Sequence, residues 1–132
     1  MDNPTLQTAL GVTRVAIGTG LLLAPRLAAR PWIGADAARP GTKAMTRAAG
    51  ARDMAIGVGT LLARRHGASA RGWLEAAALV DAADAAATLL AWRHLPRAGR
   101  WTTLVMAATA TVLDLRAAGA VPTRRNDGRM TT

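Results

Sequence analysis

The sequence predicts an all-α fold, an antiparallel four-helix transmembrane bundle with short basic loops. Three observations lead there. Four apolar segments (Leu6 to Ala24, Ala48 to Ala63, Trp73 to Trp92, Trp101 to Ala118) each run about 16 to 20 residues, close to the roughly 20 needed to cross a bilayer at 1.5 Å per residue. Basic residues, prolines and glycines mark the connections between them. β-branched residues are sparse and no stretch sustains a period of two, so no strand is expected. With 132 residues the chain is one domain. The reading is a helical part over 1–121, with helices at about 5–25, 43–65, 72–94 and 100–119, and a basic tail over 122–132 expected to be disordered.

The first segment carries a single charge, Arg14, and is followed by Pro25 and Pro31. Its opening residues include Asp2 and no basic residue, and Arg14 interrupts the apolar run, so it reads as a retained helix rather than a cleavable signal. The loop from Arg26 to Lys43 interleaves Leu27, Trp32 and Ile33 with Arg26, Arg30 and Arg39. That pattern suits a short stretch in the headgroup layer with Trp32 as anchor; a lid over the bundle mouth is the sharper version. Pro40-Gly41-Thr42 precedes the second helix, with Thr42 as expected N-cap. Gly67 and Gly72 bracket the next connection, Pro96 and Gly99 the third, and Pro122 follows the last helix.

Charge and composition narrow the class. There are 17 Lys+Arg against 8 Asp+Glu, a formal +9, with no Cys, Tyr or Phe and two His. Disulfides, thiol chemistry, Cys-ligated metals and a three-His zinc site are excluded. His66 and His94 follow different helices and fall at opposite ends, so no metal and no cofactor is expected. The positive charge lies at the helix ends instead of along one stripe, which suits lipid headgroups better than nucleic acid. Gly18-x-Gly20 and Gly57-x-Gly59 lack the strand and third glycine of a dinucleotide site.

A mean hydropathy of +0.15 fits an Ala-rich soluble bundle. Against it, Leu6 to Ala24 carries one charge and Trp101 to Leu113 none, so both lack the charged stripe of a water-facing helix. Trp73, Trp92 and Trp101 sit at segment ends, as interfacial anchors do, and abundant Ala and Gly suit helix packing in lipid. The expected location is therefore multi-pass in the inner or plasma membrane. Loops one and three hold about eight Lys+Arg and the opposite side about six, which favours both termini outside.

An internal echo accompanies the helices. Ala16-Ile17-Gly18-Thr19-Gly20 recurs as Ala55-Ile56-Gly57-Val58-Gly59, placing Gly11 on Gly50 and Arg14 on Asp53. Gly11, Arg14 and Gly18 share one helix face, as do Gly50, Asp53 and Gly57. Small residues there let a neighbouring backbone approach closely, so the charge points into the bundle.

Depth counting brings Arg14, Arg52, Asp53, Asp81 and Asp84 to one layer, roughly 14 to 18 Å from one side. Arginine keeps its charge, so both guanidiniums need partners, and a cross-helix partner suits Arg52 best. Asp81 and Asp84, at i and i+3, are expected to hold the surplus carboxylate and share a proton. Asp114 is expected to pair locally, nearer the surface. This cluster is the candidate site, either a salt-bridge network that fixes helix register or a polar pocket.

The run Arg47-Ala48-Ala49-Gly50-Ala51-Arg52-Asp53-Met54-Ala55-Ile56-Gly57 resembles the Gly-x-Arg-Asp-x-x-x-Gly signature of a family of small bacterial four-helix integral membrane proteins of unknown function. The first helix with Gly11, its Pro25-Arg26 ending and an Asp in the third helix are also similar, so the resemblance spans about Leu6 to Gly119. It implies the membrane bundle and marks Arg52 and Asp53 as the characteristic pair; it implies no activity. The leading expectation is a non-enzymatic membrane protein that binds a small amphipathic ligand or a partner at the Arg/Asp cluster. An intramembrane enzyme using Asp81 or Asp84 as acid or base is the first alternative, and a proton-coupled transporter subunit or a purely structural protein the second. Partners expected are membrane lipid, an amphipathic ligand and a second copy of the chain.

Overall fold

The computed structural model describes residues 3–119; the expected tail over 122–132 lies outside them. The described chain is all-helical, with five α-helices and no strand: α1 (Pro4–Leu23), α2 (Pro25–Ile33), α3 (Pro40–Arg65), α4 (Arg71–Leu90) and α5 (Arg97–Ala117). A 3₁₀ turn, Gly34–Ala38, joins α2 to α3. The fifth helix, α2, corrects the expectation of four. The chain between Arg26 and Lys43 is helical because Pro25 sits at N1, where its fixed φ and missing N–H cost nothing. Pro40 does the same for α3, so Arg39 and not Thr42 takes the N-cap position. α4 ends at Leu90, earlier than expected, and Trp92 lies in the turn beyond. Asn3 caps α1 by accepting from the Leu6 amide at 3.0 Å.

The helices form two tight pairs. α1 with α3 makes the largest interface and α4 with α5 the next, while the pairs touch each other sparingly. Glycine builds the first pair. A Cβ on Gly18 would lie 2.6 Å from the Gly50 carbonyl oxygen, and one on Gly57 2.7 Å from that of Gly11. Gly11 therefore faces Gly57 and Gly18 faces Gly50, which makes α1 and α3 antiparallel. The echoed segments are thus related by a local pseudo-two-fold axis, with Arg14 and Asp53 at equivalent positions beside it. At the end where α1 begins, Ala70, Leu74, Ala117 and Ala118 form a small core, joined by Leu6, Leu10 and Ala63. Gln7 ties this end together: its Nε2 donates to the Ala117 carbonyl at 2.9 Å, and its Oε1 accepts from Arg64 at 2.9 Å. At the other end α2 lies across the opening. Gly99 of α5 makes that crossing possible, since a Cβ there would sit 2.4 Å from the Pro31 and Trp32 carbonyl oxygens.

Several bulky apolar side chains face outward while a few polar and charged ones lie inside. The buried apolar set is almost all alanine, while Arg14, Asp114, Gln7, Thr60 and Thr88 are buried beside it. Leu23, Leu79 and Leu90 are 79%, 72% and 89% exposed, and Val12, Val105 and Val112 also face outward. The buried threonines are satisfied within their own helices, Thr60 Oγ1 donating to the Ile56 carbonyl and Thr88 Oγ1 to that of Asp84. α1 is the one described helix long and apolar enough to cross a membrane. The expectation of four such spans is not met, because α3, α4 and α5 carry more charged residues along their lengths than the single arginine of α1.

Gly18→Ala is expected to destabilise the fold by about 1–3 kcal/mol, since backbone of α3 must shift to admit the methyl group. Gly20 meets no heavy atom of a neighbour within 4 Å, so Gly20→Ala is expected to be neutral or to stabilise α1 by up to about 1 kcal/mol. Thermal unfolding of the two purified variants against the parent chain checks the pair.

Candidate functional site

The face that carries the glycines of α1 also carries Arg14, and the close α1/α3 approach leaves its guanidinium pointing between the helix pairs. There it meets one carboxylate from each of the other long helices. Arg14 Nη2 bonds both Asp81 Oδ2 of α4 and Asp114 Oδ2 of α5, the latter at 2.6 Å. Nη1 lies 3.6 Å from Asp53 Oδ1 of α3. This inner cluster is nearly closed to solvent, with Asp114 fully buried. An outer pair adjoins it: Arg52 Nη2 lies 2.9 Å from Asp84 Oδ2 and 3.4 Å from Asp53 Oδ1. Asp53 bridges the two arginines. Arg52 and Asp84 keep 36% and 38% side-chain exposure, so the outer pair contributes less than the inner one.

The structure brings together Arg14, Arg52, Asp53, Asp81 and Asp84, and gives Arg52 a cross-helix partner in Asp84. Two expectations are corrected. Asp81 and Asp84 do not form the carboxylate pair, because they bond different arginines; Asp81 converges instead with Asp114 on a single guanidinium nitrogen. Nor is Asp114 a local surface pair. By Cα depth it falls about one turn from Arg14, yet side chains lean toward the N-terminus of their own helix. α1 and α5 run in opposite directions, so Arg14 and Asp114 lean toward each other and close the gap. The available signal was an aspartate between Leu113 and Leu115 in a helix otherwise free of charge from Trp101 to Leu113.

A cavity of about 930 Å³ opens onto this network. All six charged residues line it, and the remaining wall is mostly apolar, with Leu10, Ile17 and Leu21 of α1, Met45 of α3 and Met106 of α5 among several threonines. Trp32 and Ile33 of α2 close its far end. Ile17, Met45 and Met106 belong to the wall and are also exposed, so the cavity opens sideways, partway along the bundle. Three buried polar atoms of its lining have no hydrogen-bond partner among the described residues: Asp114 Oδ1, Arg52 Nε and Trp32 Nε1.

The expected tryptophan anchors divide. Trp32 is a cavity wall. Trp92 and Trp101 pack edge to face at 4.9 Å between centroids, with the Arg100 guanidinium 4.7 Å over the Trp92 ring. Trp73 lies against Gly59 at the opposite end, where a Cβ would meet its ring at 2.5 Å. Nearer the surface, Arg71 and Glu75 pair at 2.7 Å one turn apart. Among the described residues no group of three or more His, Cys, Asp and Glu is arranged to hold a metal ion. Ser69 is exposed beside the start of α4, away from the cavity.

Arg14→Met leaves three carboxylates without their shared cation and is expected to cost about 3–5 kcal/mol, read as loss of folded protein on thermal unfolding. Arg52→Met is expected to cost about 1 kcal/mol or less, since Asp84 is part-exposed and can hydrate. In a double-mutant cycle, Arg52→Gln is expected to couple more strongly to Asp84→Asn than to Asp53→Asn, because Asp53 keeps Arg14.

Compared with family models, with curated proteins and with solved structures, the chain matches none. The case for function therefore rests on the residues of the cleft.

Proposed function

We propose that this chain is an integral membrane protein whose helix pairs cross the bilayer, and that it binds a small amphipathic ligand at the Arg/Asp network without acting on it chemically. The observation that carries the reading is the inverted packing around a side-opening cavity. Fully burying a leucine from water stabilises by roughly 1.5–3 kcal/mol. A chain folding in water would gain from burying Leu79 and Leu90 and lose by burying Arg14 and Asp114. In lipid the preferences reverse, since leucine is at home against acyl chains and charge must turn inward and be paired. The modest apolarity of α3, α4 and α5 fits this arrangement in part, because Asp53, Asp81 and Asp114 turn toward the bundle interior while the basic residues other than Arg52 gather near the helix ends.

Binding is favoured over catalysis by the state of the carboxylates. Asp81 and Asp84, the acid or base of an enzymatic reading, are each engaged by an arginine. A cavity with an apolar wall and one polar floor is the usual form of a small-molecule site. Trp32 closes the cavity end without making it part of a catalytic arrangement.

In membranes prepared from expressing cells, the protein is expected to stay with the bilayer through washes with high salt and with alkaline carbonate, and to be released by detergent alone. Release by either wash contradicts the spanning reading and leaves a bundle held at the surface by its basic ends.

A further inference from the structure

The charge balance of the cavity floor identifies the kind of ligand head it takes. Two guanidiniums face four carboxylates, a formal excess of two negative charges. The bonded Nη groups of both arginines are already committed to those carboxylates, and although Arg52 Nε is without a partner among the described residues, an anionic head beside it would meet the repulsion of the surplus carboxylates. Asp114 supplies the second, independent observation. It is 0% exposed, it lines the cavity, and its Oδ1 has no partner among the described residues while Oδ2 is held by Arg14. A buried carboxylate oxygen without a donor is costly, and the group that relieves it must bring an N–H or O–H.

We propose that the cavity takes a lipophilic amine, with its ammonium head donating to Asp114 Oδ1 beside Asp81 and its apolar body running along the cavity toward Trp32. This rests on the reading of the cavity as an amphipathic-ligand site and adds the chemistry of the head. An alkylamine, like the lysine side chain, is protonated at neutral pH. It therefore supplies both the missing positive charge and the missing donor. The length fits a chain-bearing ligand. Gly99 touches Trp32, and Asp114 lies fifteen residues further along α5, about 22 Å at 1.5 Å per residue. The sideways opening at Ile17, Met45 and Met106 lets such a molecule enter from the acyl region without crossing the basic ends.

The test uses the full chain in nanodiscs of zwitterionic lipid with radiolabelled hexadecylamine, hexadecanol and hexadecanoic acid as probes. Retention of each is measured against empty nanodiscs. The amine is expected to be held at least about tenfold more tightly than the alcohol or the acid, the size of one charge-assisted hydrogen bond. Asp114→Asn, which keeps the shape and removes the charge, is expected to abolish that preference. Should Asp114→Asn fail to fold, Thr103→Leu decides: it narrows the cavity eleven residues along α5 from Asp114 and is expected to lower amine retention by about tenfold in a folded protein. Equal retention of the three probes, or preference for the acid, overturns the amine head and leaves an amphipathic pocket standing. Retention of none above empty nanodiscs overturns the pocket as well.

Discussion

One guanidinium organises this bundle. Arginine does not lose its charge at any accessible pH, so an arginine in the interior has to be surrounded by carboxylates. Arg14 draws one from each of α3, α4 and α5. Besides this contact the α1/α3 pair and the α4/α5 pair meet at the small apolar core where α1 begins, through Gln7 and at Trp73 against Gly59, and the cavity lies between them beyond it. The ion cluster is thus the clasp between the two halves in the stretch where apolar packing does not join them. Taking ions from water costs several kcal/mol each, so the cluster gives the pairs a defined register more than it gives them excess stability. Small residues then fill the remaining contacts, and glycine brings the backbones of α1 and α3 together.

The cavity follows from the same constraint. Four carboxylates answer two arginines, and the helices that deliver them cannot also close over the gap without bringing those carboxylates nearer to one another. α2 covers the end of the gap, wedged there by the absence of a side chain at Gly99. What remains is a long apolar slot with charge at its floor and an opening on its flank. Such a slot suits a molecule that is itself apolar along most of its length.

Much of this was legible in the sequence, for physical reasons that can be named. The all-helical class was visible because Ala, Leu and Gly runs without period two leave no alternative. Arg14, Arg52, Asp53, Asp81 and Asp84 stood out because an isolated charge in an apolar helix has to be explained by a partner. The glycines on the face of Arg14 disclosed that a neighbouring backbone would approach closely there. Three things were not legible. Helix α2 was hidden because its two prolines read as punctuation, although Pro25 starts a helix and Pro31 leaves only one amide contact unmade. Asp114 was misplaced because depth along an axis ignores the lean of side chains, which works in opposite directions on antiparallel helices. The cavity was invisible because it arises from how far apart two helix pairs stand, a property of no single segment. Trp32 was partly legible: its place among the arginines of a connection suggested an interfacial anchor or, more sharply, a lid over the bundle mouth, and in the fold it stands in the cavity wall where α2 lies across the opening.

A bilayer-spanning bundle of this kind turns the charge of its network inward and its bulky apolar side chains outward to lipid. The chain has no cysteine, so single cysteines can be introduced at Val12, Leu79 and Val105, spin-labelled, and examined by EPR in reconstituted bilayers. Each is exposed in the fold. The account predicts high accessibility to dissolved oxygen and low accessibility to a water-soluble nickel chelate at all three positions. The reverse pattern, with the nickel reagent reaching Leu79 and Val105 freely, would place those faces in water and contradict it.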